Sequence, residues 1–457
     1  MKRWLLVVVL SLGTLLTLPS TIAFAGNVDT YGIGAKAIAL GGAYAAYADG
    51  PFAAYYNPAG LTQIKKPTLS MGAELLDPSL KLGNYRAEDS YHKITPYGVS
   101  IKDTSPNLVI PFIGFAMPFP NNDRFVFGIA AYVPYGLHIK WDDNLAKNPA
   151  AYNSYESYYF REVINPTIAY KINDKWSIGF GILIGMSKTG TKNWQYLDNG
   201  TVNLLEGTKI ESDLTDYANY SFNVGIMYKP SDKLILGLTY RSRTHTNFKG
   251  TVKVKDATGK VLQKVNATTT IDHPDQIQFG IRYIPIKKLS LEADIEWTHW
   301  SLINKYTSNF NPALEIPIIF GPINTYKSLY SKTFPRYWKN TLQFRFGAQY
   351  KLSNVVTLRG GYYYDPSPIP DNTFDAIWPD GNKSTFSLGA GLNFGRLSVD
   401  LAAQYTVSMQ KRIIGGESEE LNSSYQSITT SGIQNGKVKT TASGHIWGYA
   451  ITLNYKF

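Results

Sequence analysis

Apolar and polar residues alternate with a period of two along most of this chain, the spacing of a β-strand with two unlike faces. The last segment, His445–Phe457, is the cleanest case. Trp447, Tyr449, Ile451, Leu453, Tyr455 and Phe457 share one face; Gly448, Ala450, Thr452, Asn454 and Lys456 share the other. The pattern recurs at Tyr220–Tyr228, Ile277–Tyr283, Leu289–Trp297, Leu342–Tyr350 and Leu397–Val407. In each, one face is apolar with aromatic ends, while the other mixes charged and amide groups with glycines. In a soluble sheet the uniform face would be the core. Here the two faces fit lipid outside and a crowded polar lumen inside.

The connections carry the second signal. Short ones at Pro120–Asp123, Asn173–Asp174, Pro230–Asp232, Pro285–Lys287, Ser353–Asn354 and Gly395 alternate with long ones. The long ones are Gly83–Pro106, Lys140–Ser157, Gly190–Asp216, Gly250–Ile271, Ser301–Lys339, Pro366–Lys383 and Gln410–Ser443. Tight turns on one side and long loops on the other are the habit of outer-membrane barrels. The expected fold is all-β: a closed transmembrane antiparallel barrel of about 14 strands. Closure is required because unpaired backbone groups cannot sit in lipid.

Before the first strand, Tyr31–Leu61 breaks the alternation. It is rich in Gly and Ala, studded with tyrosines and nearly uncharged. A short helix is expected around Ala35–Leu40, stopped by Gly41–Gly42. The stretch is too apolar for a solvated tail and too broken to build its own core, so it is expected to plug the barrel. Earlier still, Lys2 and Arg3 precede an apolar run from Leu5 to about Leu18 and then Ala23–Phe24–Ala25, the pattern of a secretory signal peptide. The expected division is residues 1–25 signal peptide, 26–66 plug and 67–457 barrel.

Composition sharpens this picture. The chain has no cysteine, 33 tyrosines and a formal charge of +11. The tyrosine load suits aromatic girdles at two membrane interfaces. Export argues against nucleic acid as the partner of the positive charge, the basic residues form no cluster in sequence, and an anionic lipid surface fits better. Outer-membrane lipid and lipopolysaccharide, together with the barrel-assembly machinery read from the aromatic closing strand, are the expected surroundings of a monomer that crosses the outer membrane of a Gram-negative-type bacterium many times.

Catalytic chemistry finds little support. His92, His138, His245, His273, His299 and His445 are scattered, and none has metal-ligand spacing. No metal and no cofactor is expected, and the protein is not expected to be an enzyme. A lipase on a barrel would need a Ser–His pair on adjacent strands at the lipid face, which the sequence does not assemble. A general porin is disfavoured by the plug and by apolar loops. Glu292, Asp294 and Glu296 point the same way from one strand, and Arg282 and Arg345 are expected to balance them in the lumen.

Several motifs resemble the FadL/TodX family of outer-membrane channels for long-chain fatty acids and aromatic hydrocarbons. They are Asn57–Pro58–Ala59 with Ala48–Asp49, Leu238–Thr239–Tyr240–Arg241–Ser242, Phe248–Lys249–Gly250, Trp297–Thr298–His299–Trp300–Ser301, and Asp365–Pro366–Ser367–Pro368–Ile369–Pro370 with Pro379–Asp380. The resemblance implies passive uptake of a hydrophobic compound, long-chain fatty acids first and aromatic hydrocarbons as the alternative. It also implies release through a gap in the wall at the third strand. That strand, Phe125–Ile139, contains Pro134 and Gly136, which interrupt a ladder, so Tyr132, Pro134, Tyr135 and Gly136 are the expected lateral opening. Asp49, Asn57, Pro58 and Ala59 are expected to lock the plug, called the hatch in the family.

Two external loops are apolar beyond need, the mark of an interaction site. Trp194, Leu204 and Leu205 in one, and Phe310, Ile318 and Phe320 in the other, are the expected ligand contacts. The resemblance puts a head-group-binding basic residue near Lys188 and Lys192.

Overall fold

The computed structural model describes residues 32–95, 98–320, 323–408 and 411–457. The expected signal peptide at 1–25 and the segment Gly26–Val28 lie outside the described residues. Among those described, fourteen strands form one closed antiparallel ring. They are β1 Thr68–Glu88, β2 Leu108–Phe119, β3 Asn122–Lys140, β4 Glu156–Lys171, β5 Trp176–Trp194, β6 Lys209–Ser231 and β7 Leu234–Arg241. There follow β8 Gln276–Ile286, β9 Leu289–Thr298, β10 Thr341–Lys351, β11 Val356–Asp365, β12 Lys383–Phe394, β13 Leu397–Ser408 and β14 Lys437–Lys456. Each pairs with its neighbours in sequence order, and β1 closes on β14 from Thr68–Lys456 to Glu88–Lys437. Among the described residues no helix is long and apolar enough to cross a membrane.

Burial follows the alternation with its usual sense inverted. On β6, Phe222 is 41% exposed while Asn223 beside it is 0% exposed. On β10, Leu342, Phe344 and Phe346 are exposed, whereas Gln343 and Arg345 are buried. A water-filled exterior could not stabilise that arrangement; hydrocarbon outside and hydrogen-bonding partners inside can. In the lumen, Arg282 lies 3.3 Å from Glu292 and Arg345 lies 3.8 Å from Glu296, as the charge count implied. Arg241 reaches Glu296 more closely, at 3.1 Å. Asp294 is spoken for by the plug instead.

The long connections are less loop-like than the sequence suggests. Phe248–Lys255 pairs with Val261–Thr269, and Lys305–Phe320 pairs with Ile323–Pro335, so two of the expected loops are hairpins that carry the wall beyond the membrane. β6 likewise begins at Lys209, inside the expected loop Gly190–Asp216. Outside the bilayer the outward face is no longer selected to be greasy, so the alternation fades although the ladder continues. The inner faces of these extensions pack with Trp300, Trp338 and Trp378 into one apolar roof.

Residues 32–66 fill the lumen. Helix α1, Ala35–Ala39, ends at Gly41 and Gly42, whose φ angles of 62° and 71° turn the chain back. Helix α2, Ala53–Tyr56, leads through Asn57 into the 3₁₀ turn Pro58–Gln63. So irregular a segment cannot satisfy its own backbone groups; the wall supplies partners. Asp294 accepts the N–H groups of Tyr44 and Ala45, each at 2.9 Å. Asn165 and Asn223 both donate to the Ala54 carbonyl, at 2.8 and 2.6 Å, and Thr239 donates to that of Tyr56 at 2.8 Å. Glycines on the inner wall let the two backbones meet: a Cβ on Gly361 of β11 would collide with Gly41, and one on Gly237 of β7 with Ala45.

Replacing Gly361 by Val drives a side chain into the plug, and overpacking of this kind costs about 1–3 kcal/mol. The Gly361→Val protein should lose its folded, heat-modifiable gel mobility at lower temperature and conduct ions in a planar bilayer where the unaltered protein does not. Unchanged melting and conductance would contradict this packing.

Candidate functional site

The external roof encloses a cavity of about 340 Å³. Its apolar wall comes from Trp194, Leu205, Ile210, Phe310, Leu314 and Phe334. Three charged groups enter it: Lys327, Lys332 and Glu420. Lys332 lines the hollow with its ammonium 4.9 Å over the Phe334 ring, while the residue as a whole is exposed. Of the sequence-predicted contacts, Trp194, Leu205 and Phe310 meet here. Leu204 is buried but does not line the chamber. The side chains of Ile318 and Phe320 lie outside the described residues.

Lys188 and Lys192 are not brought to the chamber. They share the parity of Trp176, Ile178 and Phe180 on β5 and face away from the lumen. Lys188 lies 3.3 Å from Asp213 and Lys192 lies 2.7 Å from Glu156, both pairs on the outer surface. The inward places on that stretch belong to Thr189 and Thr191, which line the chamber.

Two residues deeper, on β4, β5 and the segment leading into β8, the floor turns polar. Ser187 lies 2.9 Å from His273 Nε2, and the Tyr159 hydroxyl lies 2.9 Å from His273 Nδ1. Tyr135 stacks on the same imidazole at 4.7 Å. Burial, and then the nearby Arg161 cation, hold His273 well below the ordinary histidine range, so the ring is neutral. Arg161 is itself 2% exposed, and its hydrogen bonds go to neutral partners, Asn219 at 2.8 Å and Ser221 at 3.2 Å. No carboxylate stands within ion-pair distance of it among the described residues. Sequence reasoning missed Arg161, although its inward parity on β4 was available as a signal. Ser187 and His273 are thus a Ser–His pair in the lumen rather than at the lipid face, and Tyr159 rather than a carboxylate orients the imidazole.

Below this floor lie the plug tyrosines. Tyr55 meets Tyr132 edge to face at 5.3 Å, and the Tyr132 hydroxyl accepts from Asn165 at 2.9 Å. Asn57 donates to the carbonyls of Ala45 and Ile226 at 2.8 and 3.1 Å and accepts from the Ala59 N–H at 3.1 Å. Pro58 starts the 3₁₀ turn that this bond caps. Asp49 accepts from Lys36 at 2.7 Å and from the Tyr44 hydroxyl at 2.8 Å. Burial alone would raise its pKa; the Lys36 ammonium and these hydrogen bonds outweigh that and hold it below the usual carboxylate range. At the short-turn end a polar hollow of about 430 Å³ separates this pair from Arg359 and Asp400.

The wall is broken beside Tyr132. β2 pairs with β3 from Pro118–Val126 up to Ile113–Ala131 and no further. β2 goes on pairing with β1 as far as Leu108, so residues 108–112 have no ladder partner on β3. On the other side, the β3–β4 register slips between Tyr132 and Tyr135, which bulges Val133 and Pro134. The bulge exchanges the parity of the strand, so both Tyr132 and Tyr135 point inward. Each edge of the break carries a proline, Pro111 and Pro134, and a proline has no N–H to leave unsatisfied. Leu108 and Val133, from the two edges, pack into one apolar cluster with Leu76, Phe160 and Ile446.

A closed ring of strands with one interrupted ladder, a stoppered bore and a greasy chamber outside the stopper define a transport barrel of the outer membrane rather than an open pore. The chain belongs to the outer membrane protein transport protein (OMPP1/FadL/TodX) family, which it matches over residues 16–457. It is 24% identical to outer membrane protein P1 of Haemophilus influenzae, covering 92% of this chain and 93% of that protein. It is 23% identical to the long-chain fatty acid transport protein of Escherichia coli K12, over 88% of this chain and 87% of that one. A Pseudomonas aeruginosa FadL homologue superposes with a TM-score of 0.77 at 20% identity, covering 96% of this chain and all 100% of that one. The Ralstonia pickettii toluene transporter TbuX superposes at 0.65 and 17% identity, over 93% and 98% of the two chains.

If the chamber receives apolar matter, a carboxylate set into its wall will repel it. Leu314→Asp should weaken binding of an acyl-chain fluorophore to the purified protein about tenfold or more, the cost of an unpaired buried charge or its neutralisation. Equal binding by both proteins would exclude the chamber as the first docking place.

Proposed function

We propose that this protein is a passive channel for long-chain fatty acids, which it captures in the external chamber, passes to the polar floor and releases sideways into the outer membrane at the β2–β3 break. One observation carries the reading: chamber, floor, plug tyrosines and wall break are contiguous through Thr189–Ser187, Ile271–His273 and Tyr135–Tyr132. The tail needs no energy source. Each buried methylene is worth about 0.8 kcal/mol, and the bilayer offers the same gain as the chamber. The head group needs Arg161, because a carboxylate taken from water requires charge-assisted hydrogen bonds. Arg161 is buried beside neutral partners and so retains the charge that such a ligand would neutralise. Tyr132, Pro134, Tyr135 and Gly136 form the exit in this reading, and Asp49, Asn57, Pro58 and Ala59 hold the plug in place.

Aromatic hydrocarbons are the second reading, favoured by the rings that line the chamber at Trp194, Tyr196, Tyr306, Phe310 and Phe334. A neutral hydrocarbon has no use for Arg161, and that separates the two. A lumenal Ser–His pair without an orienting carboxylate does not make a hydrolase, and a filled bore does not make a porin.

Uptake of labelled fatty acid by cells that lack a channel of their own tests both the substrate and the exit. With Arg161→Gln, acid uptake should fall about tenfold or more, the worth of a hydrogen bond to a charged group, while uptake of a neutral hydrocarbon is kept. Equal loss of both would leave the acid reading without its anchor. Exchanging Pro134 and Gly136 together for Val should seal the wall, abolishing uptake while the heat-modifiable barrel still forms; full uptake by that double variant would rule out this exit.

A further inference from the structure

At the long-loop end the wall continues through β5, β6 and the hairpin of Phe248–Lys255 with Val261–Thr269. Its outward face there is basic. Parity decides which side chains point out. Phe248, Val252, Val254, Val265 and Ala267 are buried in the apolar roof. Lys249, Lys253 and Lys264 alternate with them and take the outward places; Lys249 and Lys264 are exposed and Lys253 is half-buried.

The ladder sets these lysines beside those of β5. One row across the wall reads Lys188, Thr215, Lys249 and Thr268. The next reads Gly190, Asp213, Thr251 and Asn266, and the one beyond it Lys192, Glu211, Lys253 and Lys264. The carboxylates of this patch are already taken. Asp213 lies 3.3 Å from Lys188, Glu156 lies 2.7 Å from Lys192, and Glu211 turns to Lys255 at 2.5 Å. Lys249, Lys253 and Lys264 have no ion-pair partner among the described residues. Lys253 and Lys264 also stand directly opposite each other. Like charges in that position weaken a sheet, so an anion held between them would relieve the wall.

The same face fixes the depth of the patch. Ile184 and Tyr220 pair across β5 and β6 and are exposed to lipid. Lys188 lies about 14 Å along the strand beyond Ile184, and Lys253 about 14 Å beyond Lys249. The lysines therefore begin where the hydrocarbon ends and climb away from the membrane. A phospholipid presents its phosphate in one plane. Cations at two heights, with the hydroxyl and amide groups of Thr251, Asn266 and Thr268 among them, match anionic groups stacked along a sugar chain.

We propose that this patch binds a phosphorylated glycolipid of the outer leaflet, of the lipopolysaccharide class. Lys249 meets the phosphate nearest the acyl chains, Lys253 and Lys264 meet anionic groups of the sugar core, and the acyl chains lie on Ile184 and Tyr220. The site is on the outside of the wall, apart from chamber, floor and wall break, so it stands whatever compound is transported.

The purified full-length protein in a non-ionic detergent, titrated with a lipid A that carries its phosphates and acidic core sugars and followed by native mass spectrometry, provides the test. The variant with Lys249, Lys253 and Lys264 all changed to Gln should bind this glycolipid with an affinity lower by about tenfold or more, since basic residues at a membrane surface attract acidic lipids. A variant with Lys65, Lys175 and Lys229 changed to Gln loses the same charge at the other end and should bind as the unaltered protein does. Heat-modifiable mobility verifies the folding of both. The unaltered protein should also prefer the glycolipid to its dephosphorylated form and to phosphatidylglycerol, a comparison that decides even if the first variant does not fold. Equal binding by the unaltered protein and the first variant would overturn the inference, as would equal binding of the dephosphorylated glycolipid. Phosphatidylglycerol bound as tightly as the glycolipid would overturn the assignment to a glycolipid. Lysine-dependent binding of polyglutamate in place of either lipid would give the patch to an acidic protein instead.

Discussion

An unpaired backbone N–H or C=O in hydrocarbon costs several kcal/mol, and this single constraint organises the molecule. It forces the wall to close, β1 onto β14. It also dictates how an irregular plug can live inside: Asp294, Asn165, Asn223 and Thr239 reach in from the wall to satisfy peptide groups that α1, α2 and the turns between them leave open. Because those partners are side chains on several different strands, the plug is fixed to the barrel all round rather than tethered at one edge. The same constraint makes the β2–β3 break conspicuous. A ladder is interrupted there, prolines reduce the donors exposed, and Leu108 and Val133 pack across it in an apolar cluster.

The lumen is graded along its axis. Aromatic and aliphatic side chains dominate the external chamber, a neutral imidazole and a buried guanidinium mark its floor, tyrosines cap the plug, and charged pairs fill the far end. Wall glycines such as Gly361 and Gly237 serve the grade by letting plug and wall approach backbone to backbone. The break then lies beside Tyr132, where plug and floor meet.

Charge is graded too. Some external cations, among them Lys93, Arg336 and Lys383, are paired with carboxylates, which suits a roof that must pack. At the short-turn end Lys65, Lys171, Lys175 and Lys229 border one hollow beside the plug, and Lys351 lines another with Lys36 and Arg359.

The sequence alone determined the fold class, the sense of the two faces, the plug and even the kinked third strand. Each of these follows from local facts: a period of two, a rule about proline, a stretch too broken to be a strand. It did not determine which groups come together. Arg161, Ser187 and His273 lie far apart in the chain and meet because three stretches are adjacent in the ring. Lys188 and Lys192 sit near the correct loop yet face away from it, since a strand sends neighbouring side chains to opposite sides. The external hairpins hid because beyond the bilayer nothing requires one face to be greasy. Lys65, Lys171, Lys175 and Lys229, scattered in sequence, border one hollow only because their turns are brought to the same end. Closure of the barrel, a property of no single segment, is what brought the distant groups together.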